Sequence, residues 1–288
     1  MNIIIGNRSY KLMFAMNDAN VRWAFNIKKW APTLEQMAKC TSYIQLEEKE
    51  RLGRFYFKED FKSSLVGRLL MRKFISKTTK VPFNEITFRR DERGKPFLAH
   101  PNLEYIKFNV SHQGDYVVLA GSNTVEALGV DVMKMEYKGG KELSEFFRLM
   151  NRQFTSSEWL TIKQGTESEK IKMFTRNWCL KESYVKAIGT GLNLDLQTIN
   201  FEIVQKNLSQ NEIVNNTKLY IDGKMVDWEF HEMLLDDDHC VAVAIKGTDF
   251  EKVKFRELCI NELIDEGLPI LEEDMIYCSN YFKKMDKK

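Results

Sequence analysis

Asp131 stands in the run Gly129-Val130-Asp131-Val132-Met133. If this run is a strand, Asp131 points to the opposite side from Val130 and Val132, toward a cleft or solvent. A carboxylate on rigid β-structure is a good ligand for a hard cation. Alone, it reads as readily as an exposed strand Asp. Glu182 and Lys186 share a helical stretch, and at 100° per residue they lie about 40° apart on one face. Thr175 falls between them in azimuth, with Trp178 and Val185 at the flanks. Alone, the pair is an ordinary i,i+4 ion pair worth a few tenths of a kcal/mol. The run Asn109-Val110-Ser111-His112-Gln113-Gly114-Asp115 gathers amides, a hydroxyl and an imidazole, types that bind phosphate oxygens. A plain turn is its equal alternative. Arg90, Arg93 and Lys95 surround Gly94, which permits a tight bend and lets the bases reach an anion.

Taken together these weak signals form a coherent set. Two carboxylates can hold magnesium (Mg2+), which neutralises a pyrophosphate during displacement at phosphorus. There is no GxSxG around Ser111, no Walker A loop and no GxGxxG, so hydrolase, common ATPase and dinucleotide sites are disfavoured.

The elements that must position these groups occur twice. Residues 46–54 and 61–77 read as helices, the second with Leu65, Leu69, Arg72 and Phe74 near helical spacing. Val81-Pro82 stops it. A short strand at 86–90, a turn at 91–96 and strands at 105–110 and 116–121 follow, the last two joined by a polar loop at 111–115. Residues 127–133 read as another strand. Then the order repeats: a helix at 173–188 with Gly189 as a left-handed cap, and a stretch at 194–203 resembling 82–88. Strands at 218–221 and 225–235 flank the hairpin signal Asp222-Gly223, and 240–246 closes the half as 116–121 closes the first. This predicts an α+β fold, a pseudo-two-fold duplication of two similar halves with antiparallel sheets and a cleft between them. The expected division is 1–125, 126–246 and an extension at 247–288. In the extension, 250–263 reads as an amphipathic helix and 283–288 as a frayed end. A doubly wound parallel sheet would need many more βαβ crossovers.

Composition narrows the class. Hydrophobic residues at 43% and charged residues at 29% describe a soluble globular chain. The net charge is +2, yet between Lys49 and Lys95 fourteen Lys/Arg stand against six Asp/Glu. A basic segment in a nearly neutral chain favours a small anionic ligand over a nucleic-acid groove. Five widely spaced cysteines with no CxxC pair argue against structural zinc and for reduced thiols in the cytosol. No apolar run reaches membrane-spanning length, and the run at 3–5 is too short for a signal-peptide core.

The motifs also resemble a known family. Gly-Val-Asp at 129–131 and Trp-Cys-Leu-Lys-Glu-Ser-Tyr-Val-Lys at 178–186 look like the two signatures of 4′-phosphopantetheinyl transferases, G-[IV]-D and W-x-x-K-E-[AS]-x-x-K. Residues 47–54 (EEKERLGR), 90–96 and 109–112 add matches in the right order. The resemblance runs from about Val21 to Lys246 and is nearest to the long, monomeric, Sfp-like type, including the animal members. It implies transfer of phosphopantetheine from coenzyme A to a serine of an apo acyl carrier domain, with release of 3′,5′-ADP. It implies that Asp131 and Glu182 bind magnesium, that Glu182 is the candidate base, and that Lys186 steadies the phosphate beside pantetheine. Arg51, Arg90, Lys95, Asn109, Ser111, His112 and Lys181 would join Lys186 in binding coenzyme A, with His112 near the 3′-phosphate. Carrier domains of fatty acid synthase and aminoadipate semialdehyde dehydrogenase are the implied partners, with no nucleic acid and no membrane. Many bacterial members carry a Glu where this chain has Met133, so waters must complete the metal shell. The alternative from another class is a non-catalytic protein that binds coenzyme A or carriers and kept the fold.

Overall fold

Strand β1 (Asn20–Asn26) sends Val21, Trp23 and Phe25 into one apolar cluster and Ala24 into another, as a period of two requires. A capping box between Thr33 and Gln36 starts α1 (Leu34–Ser42). Helices α2 (Leu46–Gly53) and α3 (Lys58–Thr79) follow, and Lys80 ends α3 in the left-handed region at φ 62°. The hairpin of β2 (Phe88–Arg90) and β3 (Pro96–Leu98) leads to β4 (Lys107–Gln113) and β5 (Tyr116–Ser122). Antiparallel pairing gives the sheet order β1-β5-β4, with α3 against its outer face. The structure, a computed structural model, describes residues 20–92, 94–189, 194–247, 251–265 and 267–287. The run at 3–5, Arg93 and Phe250 lie outside the described residues.

The second half runs β6 (Ala127–Lys134), α4 (Leu143–Leu149), α5 (Ser156–Ile162) and α6 (Glu167–Ile188). A small sheet of β7 (Ile199–Glu202), β8 (Lys218–Ile221) and β9 (Lys224–Val226) precedes β10 (Glu229–Leu234) and β11 (His239–Lys246). Order β6-β11-β10 repeats order β1-β5-β4, and α6 takes the place of α3. The chain is therefore an α+β duplication with antiparallel sheets. The halves share a core in which Ala24, Tyr116, Val118 and Ala120 of one sheet meet Leu128, Val130, Val132, Val241, Val243 and Ile245 of the other.

Several local expectations change. Residues 111–113 continue β4 instead of forming a loop, because their polar side chains have a neighbouring strand to satisfy. The segment expected at 225–235 splits into β9 and β10, which join different sheets. The expected amphipathic helix at 250–263 shrinks to α7 (Ile260–Ile264). Ahead of it, β12 (Arg256–Glu257) pairs in parallel with β1, and Leu258 N–H donates to Ala24 O at 2.9 Å. The open edge of β1 captures this stretch, and Val253 and Phe255 alternate with exposed lysines as a strand demands. Helix α8 (Met275–Phe282) buries Cys278 and Tyr281 in the first half's core. The end expected to fray is held through residue 287 by bonds to the α2–α3 region. Four of the five cysteines are buried, all are free thiols, and Cys259 is exposed. No helix among the described residues is long and apolar enough to cross a membrane.

Candidate active site

The two halves meet along β4 and β6. Asn109, Ser111 and Gln113 alternate on one face of β4, and each reaches β6. Asn109 Oδ1 accepts from Val130 N–H at 3.0 Å, Ser111 Oγ donates to Asp131 Oδ1 at 2.7 Å, and Gln113 Oε1 accepts from Lys134 N–H at 2.5 Å. β6 is an edge strand, so side chains of β4 complete amides that its own sheet leaves open. The turn beyond Gln113 is pinned as well. Asp115 N–H donates to His239 Nε2 at 3.1 Å, and His239 Nδ1 lies 2.8 Å from Asp236 Oδ1. Gly114, at φ 61°, leaves no room for a Cβ against the His239 ring and Lys134.

Asp131 lies opposite Val130 and Val132 and is 4% exposed. Lys186 Nζ donates to its Oδ1 at 2.6 Å, the oxygen that Ser111 also uses. Asp131 Oδ2 is buried without a hydrogen-bond partner. Leaving a buried carboxylate oxygen bare is costly, so the atom marks a place where a cation is wanted. Gly129 makes this approach possible, because a Cβ there would collide with Ser183 O and the Ala187 amide of α6. Glu182, one turn from Lys186, lines a cavity of about 400 Å³ with Lys95, Asn109, Val185 and Lys186. Burial raises the Glu182 carboxyl above its usual range, and the Asp131 charge raises it further while Lys186 opposes both. Two carboxylates that repel each other, one of them with an unpartnered buried oxygen, and one lysine fit a hard cation. Among the described residues no group of three or more His, Cys, Asp or Glu could share it. That suits magnesium, which is held by one or two carboxylates and completes its shell with water and substrate oxygens. Met133 faces the same way as Asp131 but packs against the α6 core, offering no oxygen.

A second cavity of about 480 Å³ shares Pro96 and Val110 with the first. Arg51, Arg54, Arg68, Arg90, Ser63, Ser64 and His112 line it. His112 alternates with Ser111 along β4, so His112 reaches the arginine cavity while Ser111 turns toward Asp131. Its ring is open to the cleft, yet the protein packed around it lowers the imidazole below its usual range, with Lys186 lowering it further. Arg90 is fixed by Glu48 through paired bonds of 3.0 Å and by Gly94 O at 2.6 Å, while Arg68 bonds the same Glu48 carboxylate. Burial acts to raise the Glu48 carboxyl, but these arginines outweigh it and hold it below its usual range. Lys95 Nζ donates to Lys186 O at 3.1 Å near the end of α6, and burial lowers its ammonium.

Lys181 is the expected binding residue that the structure removes from the cleft. It adjoins Glu182 in sequence but sits about 100° around the helix. There its ammonium is fully buried, donating to Leu196 O at 2.8 Å and Ile199 O at 2.5 Å and pairing with Glu158 at 3.0 Å. Ser63, Ser64 and Arg68 were not singled out from sequence, where only the excess of bases between Lys49 and Lys95 hinted at this wall; Glu48 and Arg54 lie in the matched run 47–54 but were given no role.

A pair of carboxylates at the junction of two similar halves, beside an arginine-lined cavity, forms a cleft suited to an anionic ligand. The comparisons place it more narrowly. A family model described as "4′-phosphopantetheinyl transferase, N-terminal" matches residues 28–124, and one described as "4′-phosphopantetheinyl transferase superfamily" matches residues 127–244. The chain is 40% identical over 282 residues, 93% of each chain, to L-aminoadipate-semialdehyde dehydrogenase-phosphopantetheinyl transferase of Xenopus laevis. It is 38% identical over 276 residues, 88% of each chain, to the Homo sapiens protein of the same name. It is 31% identical over 171 residues, 59% of this chain and 71% of the other, to 4′-phosphopantetheinyl transferase Sfp of Bacillus subtilis. The chain belongs to the 4′-phosphopantetheinyl transferase superfamily and is a transferase of the phosphopantetheine group.

Proposed function

We propose that coenzyme A is the donor, that a serine of an apo acyl carrier domain is the acceptor, and that 3′,5′-ADP leaves. The observation that supports this reading is the adjacency of the carboxylate cavity and the arginine cavity, whose walls share Pro96 and Val110. One end suits a pyrophosphate and the other a phosphorylated ribose. Asp131 and Glu182 would hold magnesium, which, when bound, neutralises the pyrophosphate charge. Lys186 turns from Asp131 Oδ1 to the phosphate beside pantetheine. Glu182, directly or through a water, takes the serine proton as the serine oxygen attacks that phosphorus and the bond to 3′,5′-ADP breaks. Arg51 and Arg90 grip the nucleotide end, with Lys95 and Ser111 toward the pyrophosphate and Asn109 in the wall of the carboxylate cavity. In this reading residues 1–125 supply the nucleotide wall, 126–246 the carboxylates, and 247–288 an extension. The enzyme acts as a cytosolic monomer on carriers such as those of fatty acid synthase and aminoadipate semialdehyde dehydrogenase. The test is the mass of an apo carrier domain incubated with the protein, coenzyme A and magnesium. A gain of one phosphopantetheine is expected, and no gain under any metal condition would reject the donor–acceptor reading.

Two further results are expected. His112→Ala weakens use of coenzyme A by roughly 10- to 100-fold, the worth of a charge-assisted hydrogen bond, and dephospho-coenzyme A far less. Because the imidazole is lowered from its ordinary value of 6.5, it gains its charge only below that pH, so the wild-type KM for coenzyme A falls as the pH drops below 6.5, and the variant loses this slope. Equal losses for both donors would remove His112 from that role. Glu48→Gln releases one charge from between Arg68 and Arg90, which then splay apart. It raises KM for both donors by about tenfold with little change in kcat, because uniform binding is lost; steady-state kinetics check this.

A further inference from the structure

The extension beyond β11 folds back onto the first half and reaches the rear of the arginine cavity. Lys284 Nζ donates to Gly53 O at 3.0 Å and to Phe55 O at 2.5 Å. These carbonyls bracket Arg54, and Arg54 and Phe55 line the cavity. Met285 O accepts from Lys58 N–H at 2.9 Å, one of the open amides at the start of α3. Lys287 pairs with Asp60 at 2.5 Å, and its N–H donates to Glu59 Oε2 at 2.9 Å. Further back, Tyr277 Oη donates to Lys49 O and Lys49 pairs with Asp274 at 3.1 Å, which braces the helix carrying Glu48 and Arg51.

We propose that residues 283–287 are a working part of the donor pocket, with Lys284 positioning the Arg54–Phe55 wall and Lys287 cancelling the Asp60 charge beside it. Both act on the nucleotide end of coenzyme A; the inference rests on the reading of this cavity given above. Two observations independent of each other support it. The first is geometric: the α2–α3 connection has its carbonyls tied by one lysine of the extension, on the stretch whose side chains face the ligand space. The second is electrostatic: the charges of Asp60 and Lys287 both reach the His112 imidazole, with opposite effect. Removing Lys287 leaves an acid near the anion's seat, and removing Lys284 leaves the arginine wall unheld. Lys284 and Lys287 are positioning residues, since neither lines the cavity.

The test compares KM and kcat for coenzyme A and dephospho-coenzyme A, well below the melting temperature, in the full chain. Lys284→Met is expected to raise KM for coenzyme A about tenfold, the worth of one or two hydrogen bonds from a charged donor, with the effect on KM and not on kcat. Lys287→Gln is expected to raise it about threefold at low salt and less at high salt, with dephospho-coenzyme A less affected. Adding Asp60→Asn to Lys287→Gln restores the wild-type KM. A fall in melting temperature with KM unchanged in both single variants would overturn the proposal, as would failure of the double variant to recover. Arg90→Ala is the control. If it raises KM while the lysine variants do not, the inference about the extension alone fails; if it too leaves KM unchanged, the reading of the cavity fails with it.

Discussion

Asp131→Asn is expected to reduce transfer by on the order of 10³-fold while the protein melts no lower than the wild type. The two halves of this result have separate causes. Activity is lost because the bare Oδ2 is the best anchor for a cation, and a neutral amide is a poor substitute for a carboxylate. Stability is kept because the native carboxylate is buried and leaves one oxygen unsatisfied, so neutralising it removes a desolvation cost. Lys186 loses its partner, but it is partly exposed and can turn to water. The paired measurement is transfer rate across a magnesium series and a melting curve. Near-wild-type transfer would show that Asp131 is not a ligand. A large drop in melting temperature would show that the Ser111–Asp131–Lys186 bonds are structural.

Lys181→Met is expected to destabilise the protein by about 3–5 kcal/mol and to leave the kinetics of the folded fraction close to wild type. Glu158 is 1% exposed and faces the Lys181 ammonium at 3.0 Å. Without the lysine, a buried carboxylate loses its countercharge, and Leu196 O and Ile199 O lose their donor. Pairing the change with Glu158→Gln recovers much of the loss, because the amide oxygen can still accept from Phe201 N–H. Denaturant unfolding of the single and double variants measures this. A selective rise in KM for coenzyme A with normal stability would return Lys181 to the donor pocket.

What could be read from the chain depended on the range of the interaction that fixed each residue. The two long helices, the Asp222-Gly223 turn and the repeated order of elements are local or periodic, and they are legible. Asp222 and Gly223 both adopt positive φ, at 49° and 76°, as a tight two-residue hairpin turn requires. Helices α1 and α5 begin with Thr-x-x-Gln and Thr-x-x-Glu capping boxes that the sequence displays, at Thr33 and Thr155. The pairing of Glu48 with Arg90 spans 42 positions, and that of Lys181 with Glu158 depends on how α5 packs on α6. No local pattern carries such information. The polar character of 109–113 misled for the same reason: its partners lie on another sheet's edge.

The pinned turn at Gly114-Asp115 gives β4 the character of a ratchet set at one tooth. Its two faces serve different masters, Asn109, Ser111 and Gln113 toward β6 and Val110 and His112 toward the arginine cavity. A single-residue slip would exchange them, handing the imidazole to Asp131 and the hydroxyl to the arginine cavity. The hairpin's length is therefore a fixed quantity in this molecule. Insertions there scramble both cavities at once, whereas the turn between β8 and β9, which neither cavity touches, is free to lengthen.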